Sequence, residues 1–135
     1  MSDTPRISPA EASAKLAEGY TYVDVRTPQE FEAGHPAGAV NVPIANADFL
    51  RVMNAAFGVD GKIVVGCKAG GRSAKASQAL AGAGYKNVLD QRAGWDGARN
   101  AFGQVTEGGW LQAGLPQETG APAGRSWTDM LAKAK

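Results

Sequence analysis

Apolar positions along this chain change their period repeatedly, and the changes mark out its elements. Arg6-Ile7 is long enough only for a short edge strand. Ser8-Pro9-Ala10-Glu11 has the form of a capping box with proline at the first helical position. The helix it predicts carries Ala12, Leu16 and Ala17 and stops at Gly19. The β-rich run over residues 20–26 predicts a central strand. Thr27-Pro28-Gln29-Glu30 repeats the capping grammar and opens a short helix through Phe31 to Gly34. Residues 39–43 predict another short strand, ended by Pro43. A helix from Asn46 or Ala47 then presents Phe49, Leu50, Met53, Ala56 and Phe57 at helical spacing. The turn at 58–61 leads into an apolar strand over 62–66.

The second half continues the alternation. Ala76, Ala79, Leu80 and Ala83 predict a helix over 73–83, closed by Gly84, and residues 86–89 predict the next strand. Ala93-Gly94-Trp95 is expected to open a short helix, and residues 103–109 to form a polar surface insertion. Residues 110–116 read as a turn of helix stopped by Pro116. A glycine- and proline-rich linker follows, and Ser126 with Asp129 reads as the capping box of a last helix holding Trp127, Met130 and Leu131. There is no internal repeat. Strand alternating with helix predicts an α/β fold whose mostly parallel sheet carries helices on both faces. Residues 1–117 are expected to form one domain, with 118–135 a linker and short helix packing on it.

Composition narrows the class without changing this picture. A chain of 135 residues with 44% hydrophobic and 20% charged residues has the profile of a soluble globular domain. No apolar run approaches the roughly 20 residues that span a bilayer. Met1-Ser2-Asp3-Thr4-Pro5 has neither a basic patch nor an apolar core, so no secretory signal is expected. Cys67 is the only cysteine and can form no internal disulfide, which suits a reducing compartment; a cytoplasmic monomer is expected. Residues 1–60 hold 4 Lys/Arg and 8 Asp/Glu, whereas 61–135 hold 10 and 5. The positive excess lies in the half that carries Cys67, which suits a small anionic substrate. It is diffuse rather than clustered, which argues against nucleic-acid binding. With one histidine, His35, no metal constellation is expected, and no cofactor is implied.

The chemistry concentrates in Gly66-Cys67-Lys68-Ala69-Gly70-Gly71-Arg72-Ser73. A cysteine between the end of a strand and the start of a helix occupies the place where open α/β sheets form ligand sites. Gly70 and Gly71 allow the loop to curl so that backbone N–H groups point inward as an anion-binding nest. The helix N-terminus adds partial positive charge, and Lys68 and Arg72 add formal charge. Each of these stabilises a negative sulfur, so Cys67 is the candidate nucleophile. Ser73 is expected to cap the following helix, alongside a possible substrate contact. Asp24 and Arg26, at a strand's end, are expected to brace neighbouring loops, with Arg26 and Glu30 pairing across the turn. His35 is expected to fix the loop after its short helix, and the tryptophans to be core or pocket-rim residues.

These residues carry a family resemblance. Asp24-Val25-Arg26 with Glu30-Phe31 resembles the first signature of the single-domain rhodaneses, which are sulfurtransferases. Gly34-His35, with Gly38-Ala39, Asn41 and Pro43, resembles the second. The stretch from Cys67 to Ser73 resembles the active-site loop, and Trp110 to Pro116 the closing segment. Pro36, Ala93 and Ala98 depart from the family pattern, with Trp110 the candidate for the usual tryptophan near Ala98. The resemblance implies a single rhodanese-like domain with a five-stranded sheet. It also implies a sulfur relay. Cys67 would take the outer sulfur of thiosulfate or a similar donor as a persulfide and pass it to cyanide or a thiol. Lys68, Ala69, Gly70, Gly71, Arg72 and Ser73 would then bind the donor and the persulfide.

Alternatives remain at this point. A persulfide carrier fed by a protein partner would use the same residues but react poorly with free thiosulfate. A non-catalytic rhodanese-like module would not need Cys67. Cysteine phosphatases and arsenate reductases of the related fold place one residue more between cysteine and arginine than residues 68–71 provide here. A thiol–disulfide oxidoreductase would need a second, resolving cysteine.

Overall fold

The computed structural model describes residues 4–134; Met1–Asp3, part of the stretch without a secretory pattern, and Lys135 lie outside them. Five strands build the main sheet: β1 (Arg6–Ile7), β2 (Thr21–Asp24), β4 (Val40–Asn41), β5 (Lys62–Gly66) and β6 (Asn87–Gln91). Their order is β1-β6-β5-β2-β4, and every pairing is parallel. The chain starts at one edge with β1, crosses to β2 and on to β4 at the other edge, then returns through β5 to β6, so the strand that delivers Cys67 lies at the centre of the sheet.

Alternation along the strands sends side chains to two cores. Val23, Ile63, Val65 and Cys67 face one core with Val52 and Met53 of α3 (Phe49–Ala56), Ala76 and Leu80 of α4 (Gly71–Gly82), and Met130 of α5 (Trp127–Ala132). Tyr22 and Val64 face the other core with Ala12 of α1 (Pro9–Ala17), Phe31 of α2 (Pro28–Ala33), and Trp110. Helices thus cover both faces, as the continuous apolar runs of β2 and β5 require.

Local grammar explains the helix starts. Ser8 and Thr27 both form complete capping boxes, with Glu11 and Glu30 reaching back, and proline opens each helix. Two local expectations fail, at residues 93–97 and at Asp129. Residues 93–97 form a turn rather than a helix, because Gly94 and Gly97 take positive φ and the peptide groups bond to other loops. The expected surface insertion lies in an exposed hairpin, β7 (Ala98–Arg99) against β8 (Val105–Glu107). Ser126 caps α5, but Asp129 accepts from the Gly124 N–H at 2.8 Å instead of closing a box.

The tail is stapled to the sheet domain. β3 (His35–Pro36) pairs antiparallel with β9 (Gln117–Glu118), the Asn41 N–H donates to the Arg125 carbonyl, and Met130 is 1% exposed. No helix among the described residues is long and apolar enough to cross a membrane.

Candidate active site

Cys67 sits one residue past β5, 2% exposed, at the carboxyl edge of the sheet. Gly66 can end β5 there only as glycine, since a Cβ would fall 1.8 Å from the Tyr22 hydroxyl oxygen. The chain then turns through Lys68 and Ala69 to Gly70, which holds φ +102° and caps the 12-residue α4. That conformation aims the Gly70 N–H at Cys67 Sγ, with N and Sγ 3.0 Å apart. A side chain at Gly70 would also meet the Arg92 carbonyl oxygen at 2.3 Å.

Ser73 is therefore not the helix cap. It lies inside α4, buried, with its hydroxyl donating to the Gly70 carbonyl at 3.2 Å and its Oγ 3.7 Å from Cys67 Sγ. The helix begins two residues earlier than its apolar spacing predicts, because Gly70, with no side chain to offer, sets the cap by backbone conformation. Ala69 and Gly71 are exposed at the loop's rim, and Gly70 is buried.

A second turn locks the loop from behind. Trp95 N–H and Asp96 N–H donate to the Cys67 and Lys68 carbonyls at 2.7 and 2.9 Å. Gly94 allows this approach; a Cβ there would stand 2.5 Å from the Lys68 carbonyl oxygen. Gln91, fully buried, holds the turn in place. Its Oε1 accepts from the Ala93 and Gly94 N–H groups, and its Nε2 donates to the Gly94 carbonyl and to Tyr22. Sequence reasoning missed Gln91 and Tyr22, whose only signals are a polar residue at the end of an apolar strand and a tyrosine within one. Burial, then the Asp24 charge, pushes the Tyr22 hydroxyl far above its ordinary value, so it stays a neutral hydroxyl.

The charged groups pair differently from the sequence expectation. Arg26 does not reach Glu30. It folds onto Asp24, two residues back, with Nη2–Oδ2 at 2.6 Å, and donates to the Gly34 carbonyl at 2.6 Å. Asn41 donates to the Asp24 and Arg26 carbonyls, so this buried pair joins three loops. Burial pushes the Asp24 carboxyl up, against the pull of Arg26. The Arg26 guanidinium lies 5.3 Å from the Trp95 ring centre.

Glu30 instead takes both arms of Arg72, at 2.7 and 3.0 Å. The bidentate Arg72 contact, helped by Thr27, holds the Glu30 carboxyl down at about 2. The Glu30 contact in turn pushes the Arg72 guanidinium further up, so it stays charged. Lys68 is 57% exposed and only loosely tied to Asp96, at 3.9 Å. A cleft of about 480 Å³ opens beside the loop, lined by Arg6, Gly70, Gly71, Arg92, Arg99 and Glu107. Cys67 does not line it.

His35 is fully buried and stacks on Phe31 at 3.7 Å. Its Nδ1 bonds to the Phe31 carbonyl at 2.6 Å and its Nε2 to Glu118 at 3.1 Å. It fixes the loop after α2. Trp110 is buried against Tyr22, and its Nε1 donates to the Pro116 carbonyl at 2.7 Å. Among the described residues no cluster of three His, Cys, Asp or Glu could hold a metal ion.

The same frame is found in known proteins. Residues 8–101 match the rhodanese-like domain model. Thiosulfate sulfurtransferase 16, chloroplastic, of Arabidopsis thaliana is 38% identical over 119 residues, covering 82% of this chain and 89% of that protein. Thiosulfate sulfurtransferase GlpE of Pseudomonas entomophila (strain L48) is 38% identical over 110 residues, covering 80% and 97%. The crystal structure of Rv0390 from M. tuberculosis superposes with a TM-score of 0.74 at 26% identity, over 88% of this chain and all of that one. With these matches, and with Cys67 at the carboxyl edge of a central parallel sheet, the chain belongs to the rhodanese-like domain family.

Proposed function

We propose that this protein is a sulfurtransferase that carries sulfane sulfur on Cys67, from thiosulfate or a similar donor to a thiophilic acceptor such as cyanide or a thiol. The observation that carries this reading is the Gly70 N–H aimed at Cys67 Sγ from the N-terminal end of α4. A donor and a helix dipole directed at one sulfur stabilise negative charge on it, as a nucleophile and as a persulfide. In the forward step the Cys67 thiolate attacks the outer sulfur of thiosulfate. A new S–S bond forms, the donor's S–S bond breaks, and sulfite leaves with the bonding electrons. The acceptor then attacks the outer sulfur of the persulfide and returns Cys67 as thiolate. With no second cysteine in the chain, the sulfur must leave to an outside acceptor.

Phosphoryl chemistry fits less well. Four residues separate Cys67 from Arg72, and Arg72 is held by Glu30. The more serious rival is a persulfide carrier loaded by a protein partner, a reading favoured by the carboxylate partners of Arg26, Lys68 and Arg72. Intact mass spectrometry after incubation with thiosulfate tests the proposal. A gain of about 32 Da, one sulfur atom, is expected. Cyanide should remove it, and Cys67→Ser should abolish both it and cyanide-dependent turnover. A wild-type chain that gains no mass with any sulfane donor refutes sulfur carriage on Cys67.

A further inference from the structure

An active-site loop built to attract a dianion should leave its nearest cations without carboxylate partners, and Arg26, Lys68 and Arg72 each have one. Arg26 is paired with Asp24, Arg72 with Glu30 and Lys68 with Asp96. Glu30 differs from the other two carboxylates. Asp24 is buried behind the loop, and Asp96 is a loose surface partner at 3.9 Å. The Glu30 carboxylate is half-buried, and both of its oxygens are on Arg72. It is held there by two further bonds, from the Thr27 N–H and hydroxyl, each 3.1 Å. Its orientation is therefore set by the cap of α2 as well as by Arg72. A donor arriving at Arg72 meets a guanidinium whose charge is already answered.

We propose that Glu30 is a specificity-determining residue: by occupying Arg72 it tunes the site away from dianionic thiosulfate and toward sulfane donors carrying a single negative charge. This rests on the sulfur-carrier reading above. For a monoanionic thiosulfonate the step is the same. The Cys67 thiolate bonds to the outer sulfur, the donor's S–S bond breaks, and the sulfinate leaves with the electron pair. The two donors present similar sulfonyl groups and differ by one charge, so comparing them isolates the electrostatic contribution. Glu30 touches no reacting atom; it acts through Arg72.

The test measures sulfur transfer to cyanide from thiosulfate and from methanethiosulfonate in the wild type, Glu30→Gln, Arg72→Ala and the double variant. Glutamine still serves a capping box, so α2 keeps its start. Glu30→Gln is expected to lower the thiosulfate KM by about fivefold, the scale of one partly exposed ion pair, and to move the methanethiosulfonate KM much less. The gain should vanish when Arg72 is alanine, as a coupled pair requires. A raised thiosulfate KM in Glu30→Gln would show that Glu30 presents Arg72 to the donor and would overturn the proposal. Equal shifts for both donors, or a gain that survives Arg72→Ala, would also overturn it. Failure of the underlying reading looks different: the wild type would form no persulfide with either donor.

Discussion

Gly70 joins backbone conformation to chemistry more tightly than any other residue of the loop. Its φ of +102° is what turns its N–H toward Cys67 Sγ, and the Arg92 carbonyl leaves no room for a side chain. Gly70→Ala should cost about 1–3 kcal/mol from the strained φ and lower sulfur transfer about tenfold through a misplaced donor. Thermal unfolding and persulfide formation would report these two effects separately. Gly70 is legible in the sequence as a turn residue, and Cys67 as the candidate nucleophile at a strand's end. The pairing of Lys68 and Arg72 is not legible, because neither Glu30 nor Asp96 is a close neighbour in sequence. Lys68, exposed and loosely tied, is the more available of the two cations. Lys68→Ala should raise the thiosulfate KM by about threefold at low salt. The effect should shrink toward 0.5 M, since charges in water are screened within about 10 Å already at 0.1 M. A KM that does not respond to Lys68→Ala would remove the lysine from donor binding.

At the scale of elements, the two capping boxes look equivalent in sequence and are equivalent in geometry. Only one is wired to the site. Thr27 bonds to Glu30, which holds Arg72, whereas Ser8 closes its box with Glu11 at the exposed start of α1. Thr27→Ala and Ser8→Ala should each cost about 1 kcal/mol. Urea unfolding should show similar losses, but only Thr27→Ala should also change the thiosulfate KM; a matching change in Ser8→Ala would unlink the cap from donor choice. The strands and caps were readable because their signals are local: alternation, proline at the first turn, glycine at the stop. The turn at 93–97 is not legible in the sequence because its peptide groups bond to the Cys67 and Lys68 carbonyls of another loop, which no local pattern encodes.

For the whole molecule, Glu118 ties the tail to the sheet domain. It lies 3.1 Å from His35 Nε2 and accepts from the Gly38 N–H and Arg125, and the Arg125 contact holds its carboxyl down at about 2 from an ordinary 4.5. A depressed carboxyl contributes stability in full above its unfolded value, and the contribution fades as pH falls toward the folded value. Glu118→Gln should therefore lower Tm at pH 7 by roughly 3 °C, a modest figure because the group is partly solvated. The gap between variant and wild type should close between about pH 4.5 and pH 2. A gap constant over that range would show that the ion pair contributes nothing.

Alternation of apolar period determined the α/β order, the capping residues determined where α1 and α2 begin, and residue types placed one cysteine between a strand and a helix. These are matters of spacing along a few residues, and a sequence states them directly. Charge pairing was decided by the tertiary structure. Glu30 meets Arg72 across 42 positions and Arg6 meets Asp90 across 84, the latter because β1 lies beside β6 in the sheet order. Opposite charges attract wherever the fold brings them together, and only strand order and loop closure determine which ones meet. That selection changed Arg72 from a free anion-binding group into one already held by Glu30.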